Sequence, residues 1–394
     1  MKRIATDTAT RFVILLGLIS LFSDMTYEAA RSINGAFLNI LGTSGTTVGI
    51  VAGIGELIGY GLRFVSGYIA DKTKKYWTIL ITGYLLNLLS VPLLALAGYW
   101  QIAVVLMIAE RFGKAVRTPA RDAFLSFGTQ KIGRGWGYGL HEAMDQIGAT
   151  AGPLLVSAVL FWNSQNYRIA YAVLLLPAVI AVSILLYCKH LYPRPESLEI
   201  KTRSLASKGF NRRYWIYIFA VAFIAAGYAD FTLIAYHFKT KALTSDSTIP
   251  LLYAAAMATD AIAALIFGKL YDKTGIKTLL LAVILSSFFA PMVFLGGINW
   301  AVAGMVLWGI GMGAQESILK AEIAGMIPPE RRGTAFGTFN TIFGVSWFAG
   351  SALMGFLYDI SITWLVLFSV ASQMTAVIVL IYLLKEKRQP VTSE

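Results

Sequence analysis

Residues Gly268 to Lys277 read "GKLYDKTGIK", and residues Gly67 to Tyr76 read "GYIADKTKKY". Aligned on their first glycines, both run glycine, three residues, aspartate, lysine, threonine, then more basic residues. They lie about half a chain apart. A second pair of segments keeps the same order: "GRGWGYG" (Gly133–Gly139) and "RRGTAFG" (Arg331–Gly337) place Arg134-Gly135 and Arg332-Gly333 at one offset before an apolar run. Two pairs in register mean that the chain is an internal repeat. Parallel repeats related by an axis along the membrane normal are one of the main transporter plans.

The composition says what the repeat is made of. Of 394 residues, 57% are hydrophobic and only 14% are charged, against about 25% charged in soluble domains. Apolar runs recur at the length of ~20 residues that crosses a bilayer as a helix. The pattern predicts an all-α polytopic membrane protein of twelve transmembrane helices in two six-helix pseudo-symmetric bundles. The first six spans are expected near 12–41, 46–70, 77–98, 101–124, 136–162 and 167–190. The second six are expected near 213–240, 249–270, 276–297, 299–325, 334–358 and 362–386. The domains follow as 1–190 and 213–394, joined by a polar, basic linker at 191–212, "LYPRPESLEIKTRSLASKGFNRR" running through it.

Lysine and arginine in short loops favour the cytosol. Alternate loops carry them, and Lys2, Arg3, Lys385, Lys387 and Arg388 put both termini on that basic side. The net charge of +12 is therefore topology, and no nucleic-acid partner is expected. The apolar stretch "FVILLGLISLF" reads as a retained first span rather than a cleaved leader, because no small-residue cleavage site follows promptly. The expected location is the inner (cytoplasmic) membrane if the source is prokaryotic, with the bilayer as partner and a monomeric state. Cys188 is the lone cysteine. No histidine or cysteine grouping has metal-ligand spacing, no nucleotide-binding loop exists, and no cofactor is expected. "HEAMD" (His141–Asp145) is the one stretch that tempts an enzyme reading. It offers no serine or cysteine nucleophile with an evident base, so no enzyme is expected.

On its repeated loops the chain resembles the major facilitator superfamily, over essentially its full length. Gly268, Asp272, Lys273, Gly275 and Lys277 match the family's loop signature. Gly67, Asp71, Lys72, Lys74 and Lys75 match it apart from the second glycine, where Thr73-Lys74 stand. The resemblance implies a cytosolic gate: Asp71 meets the start of span eleven near Arg332, and Asp272 the start of span five near Arg134. A carboxylate is favoured at the positive end of a helix. The gate set includes Gly67, Asp71, Lys72, Arg121, Arg134, Gly268, Asp272, Lys273 and Arg332. Span five also resembles the antiporters of the superfamily through Gly139, Gly148, Gly152 and Pro153. The glycine pair that should follow is replaced by Val156 and Ser157.

Charges inside the spans mark the chemistry. Asp24, Glu28 and Arg31 share one face of span one, at steps of four and three. Glu110, Lys114, Arg117 and Arg121 share a face of span four. Intramembrane charges are expensive and face protein or a water-filled cavity. The expected proton-coupling groups are Asp24, Glu28 and Glu110 with Arg111. Arg111 resembles the arginine that the family often buries in span four, although Lys114 and Ala115 replace the residues that should follow. The resemblance puts spans one, four, seven and ten around a central cavity, lined by Tyr27, Arg31, Lys114, Tyr228, Asp230, Tyr236, Trp308, Gln315 and Glu316. Glu56, His141, Glu142, Asp145 and Asp260 are further intramembrane polar groups; a structural ion-pair network is expected around His141 and Asp145. The implied activity is secondary active transport by alternating access, as proton-coupled efflux of a small organic or amphiphilic compound. Proton-coupled uptake of a small organic anion and carriage of a lipid-like substrate are the alternatives.

Overall fold

The computed structural model describes residues 2–132, 134–193, 210–327 and 332–385. They are helical almost throughout, because a backbone in hydrocarbon must satisfy its own hydrogen bonds. The first half comprises α1 (Lys2–Ile40), α2 (Gly45–Thr73), α3 (Tyr76–Leu93), α4 (Trp100–Ile132), α5 (Arg134–Trp162), α6 (Tyr167–Val173) and α7 (Leu175–Leu191). The second comprises α8 (Arg212–Ala226), α9 (Phe231–Thr240), α10 (Thr248–Thr274), α11 (Ile276–Ser286), α12 (Phe289–Leu295), α13 (Ile298–Met326), α14 (Arg332–Ile360) and α15 (Ile362–Lys385). The linker's residues 194–209 and the side chains of Arg134 and Arg332 lie outside the described residues.

The twelve predicted spans are present, but the sixth, seventh and ninth are each built from two helices: α6 with α7, α8 with α9, and α11 with α12. The break in the seventh has a visible cause. Gly227 ends α8, and the Asp230 side chain accepts the Thr232 amide at 2.8 Å to start α9 afresh. An N-cap of this kind replaces an intrahelical partner. Eleven spans are long and apolar enough to cross a membrane by composition alone; α4 is the exception, because its charges interrupt every apolar window. Large side chains such as Phe64, Leu176, Ile262 and Leu265 are exposed on the outside of the bundle, as a lipid-facing surface requires.

The two repeated loops turn at the same place by different means. Lys74 and Gly275 stand at equivalent positions, and each has positive φ, 56° and 61°. Gly275 combines it with a ψ of −139°, backbone that only glycine adopts without strain. Lys74, with a ψ of 15°, sits instead in the left-handed region, at the modest cost a side chain bears there. The missing glycine of the first copy is thus accommodated without losing the turn.

The halves meet chiefly along α2 with α14, α5 with α10, and α1 with α9. These contacts concentrate at the end of the bundle opposite the termini. There Asp359 accepts the amides of Gly45 and Thr46 at 2.8 and 2.7 Å and the Thr46 hydroxyl at 2.6 Å. A carboxylate from one half thus caps the first turn of a helix in the other, where unsatisfied amides and the helix dipole favour negative charge. Tyr236 donates to the Thr43 carbonyl at 2.9 Å, Asn39 to Thr240 at 2.9 Å, and Ser157 to the Ser247 carbonyl at 2.7 Å. Gly49 lets α2 lie directly on α14: a Cβ there would overlap the Ser351 carbonyl and crowd Gly355. At the termini end the halves stand apart. A Cβ on Gly139, Gly268 or Gly337 would meet nothing within 4 Å, and one on Gly67 would meet only Pro119 of its own half.

Candidate functional site: a charged central cavity

A cavity of about 460 Å³ lies between the halves and opens toward the termini end, where Glu142, Glu316 and Lys320 are exposed. A smaller chamber of about 180 Å³ adjoins it. Glu28, Arg31, Lys114, Glu142, Met312 and Glu316 line both, so the two are lobes of one space.

The roof of the cavity is an ion-pair network that crosses the boundary between halves. One nitrogen of Arg31 donates to Asp230 at 2.8 Å and to Glu56 at 3.2 Å. Glu56 also sits 3.3 Å from Arg111, whose Nε lies 3.3 Å from Glu110. Asn87 donates to the Glu110 carboxylate at 2.8 Å and accepts from Arg117 Nε at 3.2 Å. Glu28 is 3.6 Å from Lys114 and accepts a 2.5 Å hydrogen bond from Tyr253 of the other half. The Lys114 ammonium also rests 3.9 Å from the centroid of the Tyr27 ring, a cation–π contact strengthened where water is scarce. Every charge on α4 named here therefore meets protein or the cavity, which is how a helix of this composition crosses a membrane.

The sequence-predicted residues divide into three groups. Glu28, Arg31, Arg111, Lys114, Gln315 and Glu316 line the main lobe, and Asp24, Tyr27 and Arg121 line the smaller one. Asp230 joins them through Arg31, and Glu110 through Arg111. Tyr228, Tyr236 and Trp308 sit elsewhere. Tyr228 and Trp308 are fully buried packing: the Tyr228 hydroxyl donates to the Trp308 carbonyl, and the Trp308 indole donates to the Ala229 carbonyl at 2.9 Å. Tyr236 belongs to the sealed end through Thr43. Aromatic side chains on wholly apolar helices take whichever packing satisfies their polar tips.

The described side chains expected to form a gate lie toward the open end. Asp71 accepts from Tyr76 at 2.7 Å, within its own loop, and Asp272, Lys72 and Lys273 are exposed. Arg121 pairs with Asp122 at 2.9 Å and approaches Asp145 at 3.7 Å, and Asp145 lies 3.4 Å from His141. Gly148 and Gly152 press α5 onto α1, against the carbonyls of Leu21 and Met25, in the helix that carries Pro153. Gly139 faces open space.

The cavity also has members that the sequence-based site set lacked. Arg63 and Lys320 line the main lobe beside an aromatic wall of Tyr60, Phe339, Phe343 and Trp347. Asp260 and Asp145 line the smaller lobe. The wall on α14 was visible in principle, since Phe339, Phe343 and Trp347 recur every four residues. Glu316 and Lys320 show the same spacing on α13.

A charged cavity enclosed by two six-span helical halves is the build of a membrane transporter. The family model described as Major Facilitator Superfamily matches residues 16–319 and 218–394, and the chain belongs to that family. The "Uncharacterized protein Rv2265" of Mycobacterium tuberculosis is 40% identical over 379 residues, covering 95% of this chain and 93% of its own. The "Uncharacterized MFS-type transporter MJ1317" of Methanocaldococcus jannaschii is 29% identical over 364 residues, covering 89% of each chain. The multidrug resistance protein MdtH of Proteus mirabilis is 33% identical over 127 residues, 32% of each chain. Among solved structures, the nucleoside transporter NupG superposes with a TM-score of 0.77 at 13% identity, covering 95% of this chain and 100% of its own. That likeness is one of fold.

Proposed function

We propose that this transporter works by alternating access and couples export of a small charged organic compound to proton entry. The observation that carries the reading is the cavity itself, which is open at one end, sealed at the other, and roofed by contacts that cross between the halves. The basic loops support a cytosolic open end, and on that reading the present state faces inward. For the outer end to open, Arg31 must leave Asp230, Tyr253 must leave Glu28, and Asp359 must leave the start of α2. A proton on Asp230 weakens the first of these contacts, and one on Glu28 the second. An anionic group of the substrate at Arg111 competes for the arginine with Glu56, which Arg111 shares with Arg31, and so disturbs the same roof. Coupling then follows, because proton and substrate act on the same roof. Direction rests on the partial likeness to MdtH and on the glycine pattern of α5. Uptake of an organic anion is the second reading, favoured by Arg31, Arg111 and Lys114 standing together at the cavity wall.

The test is a flux screen in proteoliposomes with an imposed pH gradient, over organic cations, organic acids, zwitterions and lysolipids. The reading expects at least one small charged class to accumulate on the acidic side, against its own concentration gradient, only when the pH gradient is present. Transport indifferent to the gradient for every compound would refute it.

A further inference from the structure

The two lobes have opposite charge. The charged residues that line the main lobe alone are Arg63, Arg111, Lys320 and Glu56, an excess of positive charge. Those that line the smaller lobe alone are Asp24, Asp145, Asp260 and Arg121, an excess of negative charge. Arg121 is already engaged by Asp122 at 2.9 Å and approaches Asp145 at 3.7 Å. Five charged residues are shared by both lobes: Arg31 and Lys114, already paired with Asp230 and Glu28, then Glu28 itself and the exposed carboxylates of Glu142 and Glu316, so the smaller lobe keeps its negative excess.

The acidic lobe carries a second sign of a ligand. Asp24 and Asp260, 6% and 2% exposed, each keep a carboxylate oxygen with no hydrogen-bond partner among the described residues. They come from opposite halves, on α1 and α10. Burying a carboxylate without partners is costly, and a cation held in the lobe that both residues line would offset part of that cost. In the basic lobe, the buried indole N–H of Trp347 is likewise without a partner, at the end of the aromatic wall.

We infer that the substrate is a zwitterion: an ammonium group enters the acidic lobe between Asp24 and Asp260, an anionic carboxylate or phosphate faces Arg63 and Arg111 in the basic lobe, and an apolar group lies on the aromatic wall of α14. The inference rests on the transport reading and names its substrate class. A singly charged compound would leave one pole uncompensated, so the two-pole site selects against both cations and anions. Because Asp24 and Asp260 belong to different halves, an ammonium between them also draws the halves together around it.

The experiment measures binding to the purified protein in lipid nanodiscs. The probes are matched triplets built on amino acids and dipeptides: the free zwitterion, its N-acetyl form (an anion) and its methyl ester (a cation). The expected result is at least tenfold tighter binding of zwitterions than of either relative. Asp260→Asn should erase the advantage over the N-acetyl form, and Arg63→Gln the advantage over the ester. Glu142→Gln, on an exposed side chain, should reduce the first advantage and keeps the test open if Asp260→Asn does not fold. Equal or tighter binding of one singly charged class, no binding of any zwitterion, or a ranking unmoved by the variants overturns the inference. The last of these, with a shifted pH dependence, would assign the acidic lobe to protons alone. Proton-driven flux is scored separately. Zwitterion binding without proton-driven flux sinks the coupling and leaves the two poles standing, whereas proton-driven flux of a singly charged compound does the reverse.

Discussion

Replacing Asp230 by asparagine tests the roof of the cavity. Asparagine still caps a helix, so α9 should start where it does now, with the Thr232 amide satisfied. What disappears is the charge that holds Arg31 at 2.8 Å. A hydrogen bond to a charged partner contributes about 1.5–3 kcal/mol. The larger loss of about 3–5 kcal/mol, expected when a buried charge is stranded, should not apply, because Arg31 keeps Glu56 at 3.2 Å in its own half. The Arg31–Asp230 pair joins opposite halves, so the loss falls only on the state sealed at the end away from the termini. At about 1.4 kcal/mol per factor of ten, that state should lose roughly ten- to a hundredfold in relative population. Double electron–electron resonance reads this directly, with spin labels at Asn163 and Ile360, exposed or beyond the last turn at the sealed end, in a Cys188→Ser background. The expected result is a new, longer distance component in Asp230→Asn. An unchanged distribution in lipid, for a folded variant, would show that the pair does not hold the halves together.

Three further outcomes follow from the same geometry. Gly49→Leu should bar closure of α2 on α14, trap the cavity open at the sealed end, and abolish transport while leaving a cysteine introduced in place of Gln315, in a Cys188→Ser background, reactive toward an impermeant thiol reagent from that side; reactivity only from the termini side would contradict this. Asp24→Asn and Glu28→Gln should each weaken gradient-driven transport more than substrate exchange without a gradient, and full gradient-driven transport in both would remove span one from the coupling. Asp71→Asn and Asp272→Asn should deepen the preference for the present state, because these aspartates have helix ends to meet only when the termini end closes. Each contact would contribute about 0.3–1 kcal/mol when exposed, and distances between the termini ends of α5 and α14 that do not change would count against the gate.

Much of this was legible in the residues. Asp24, Glu28 and Arg31, and the stripe on α4, announce themselves because a charge is conspicuous in an apolar span and helical spacing puts each set on one face. The repeated loop gave the six-plus-six organisation. The divided seventh span was not legible: Gly227 and Asp230 sit in a run apolar enough to read as one helix, yet the break is what brings Asp230 under Arg31. Nor could the sequence sort the aromatics. Trp347 continues the four-residue stripe of α14 and Trp308 lies two turns before Gln315 and Glu316 on α13, so spacing makes both candidates for the cavity; only packing against the Ala229 carbonyl in one case, and the cavity wall in the other, separates them. Asp260 has no charged residue three, four or seven positions away on α10, so its place in the acidic lobe depends on how the two halves meet.

The central claim is that protons and substrate move through one cavity that is never open at both ends. Proteoliposomes loaded with a pH-sensitive dye measure it most directly once a transported compound is known. Adding that compound on one side, with no imposed gradient, should drive a proton flux in the opposite direction, and Asp230→Asn should weaken the tie between the two fluxes. Substrate movement with no accompanying change in internal pH would contradict the account.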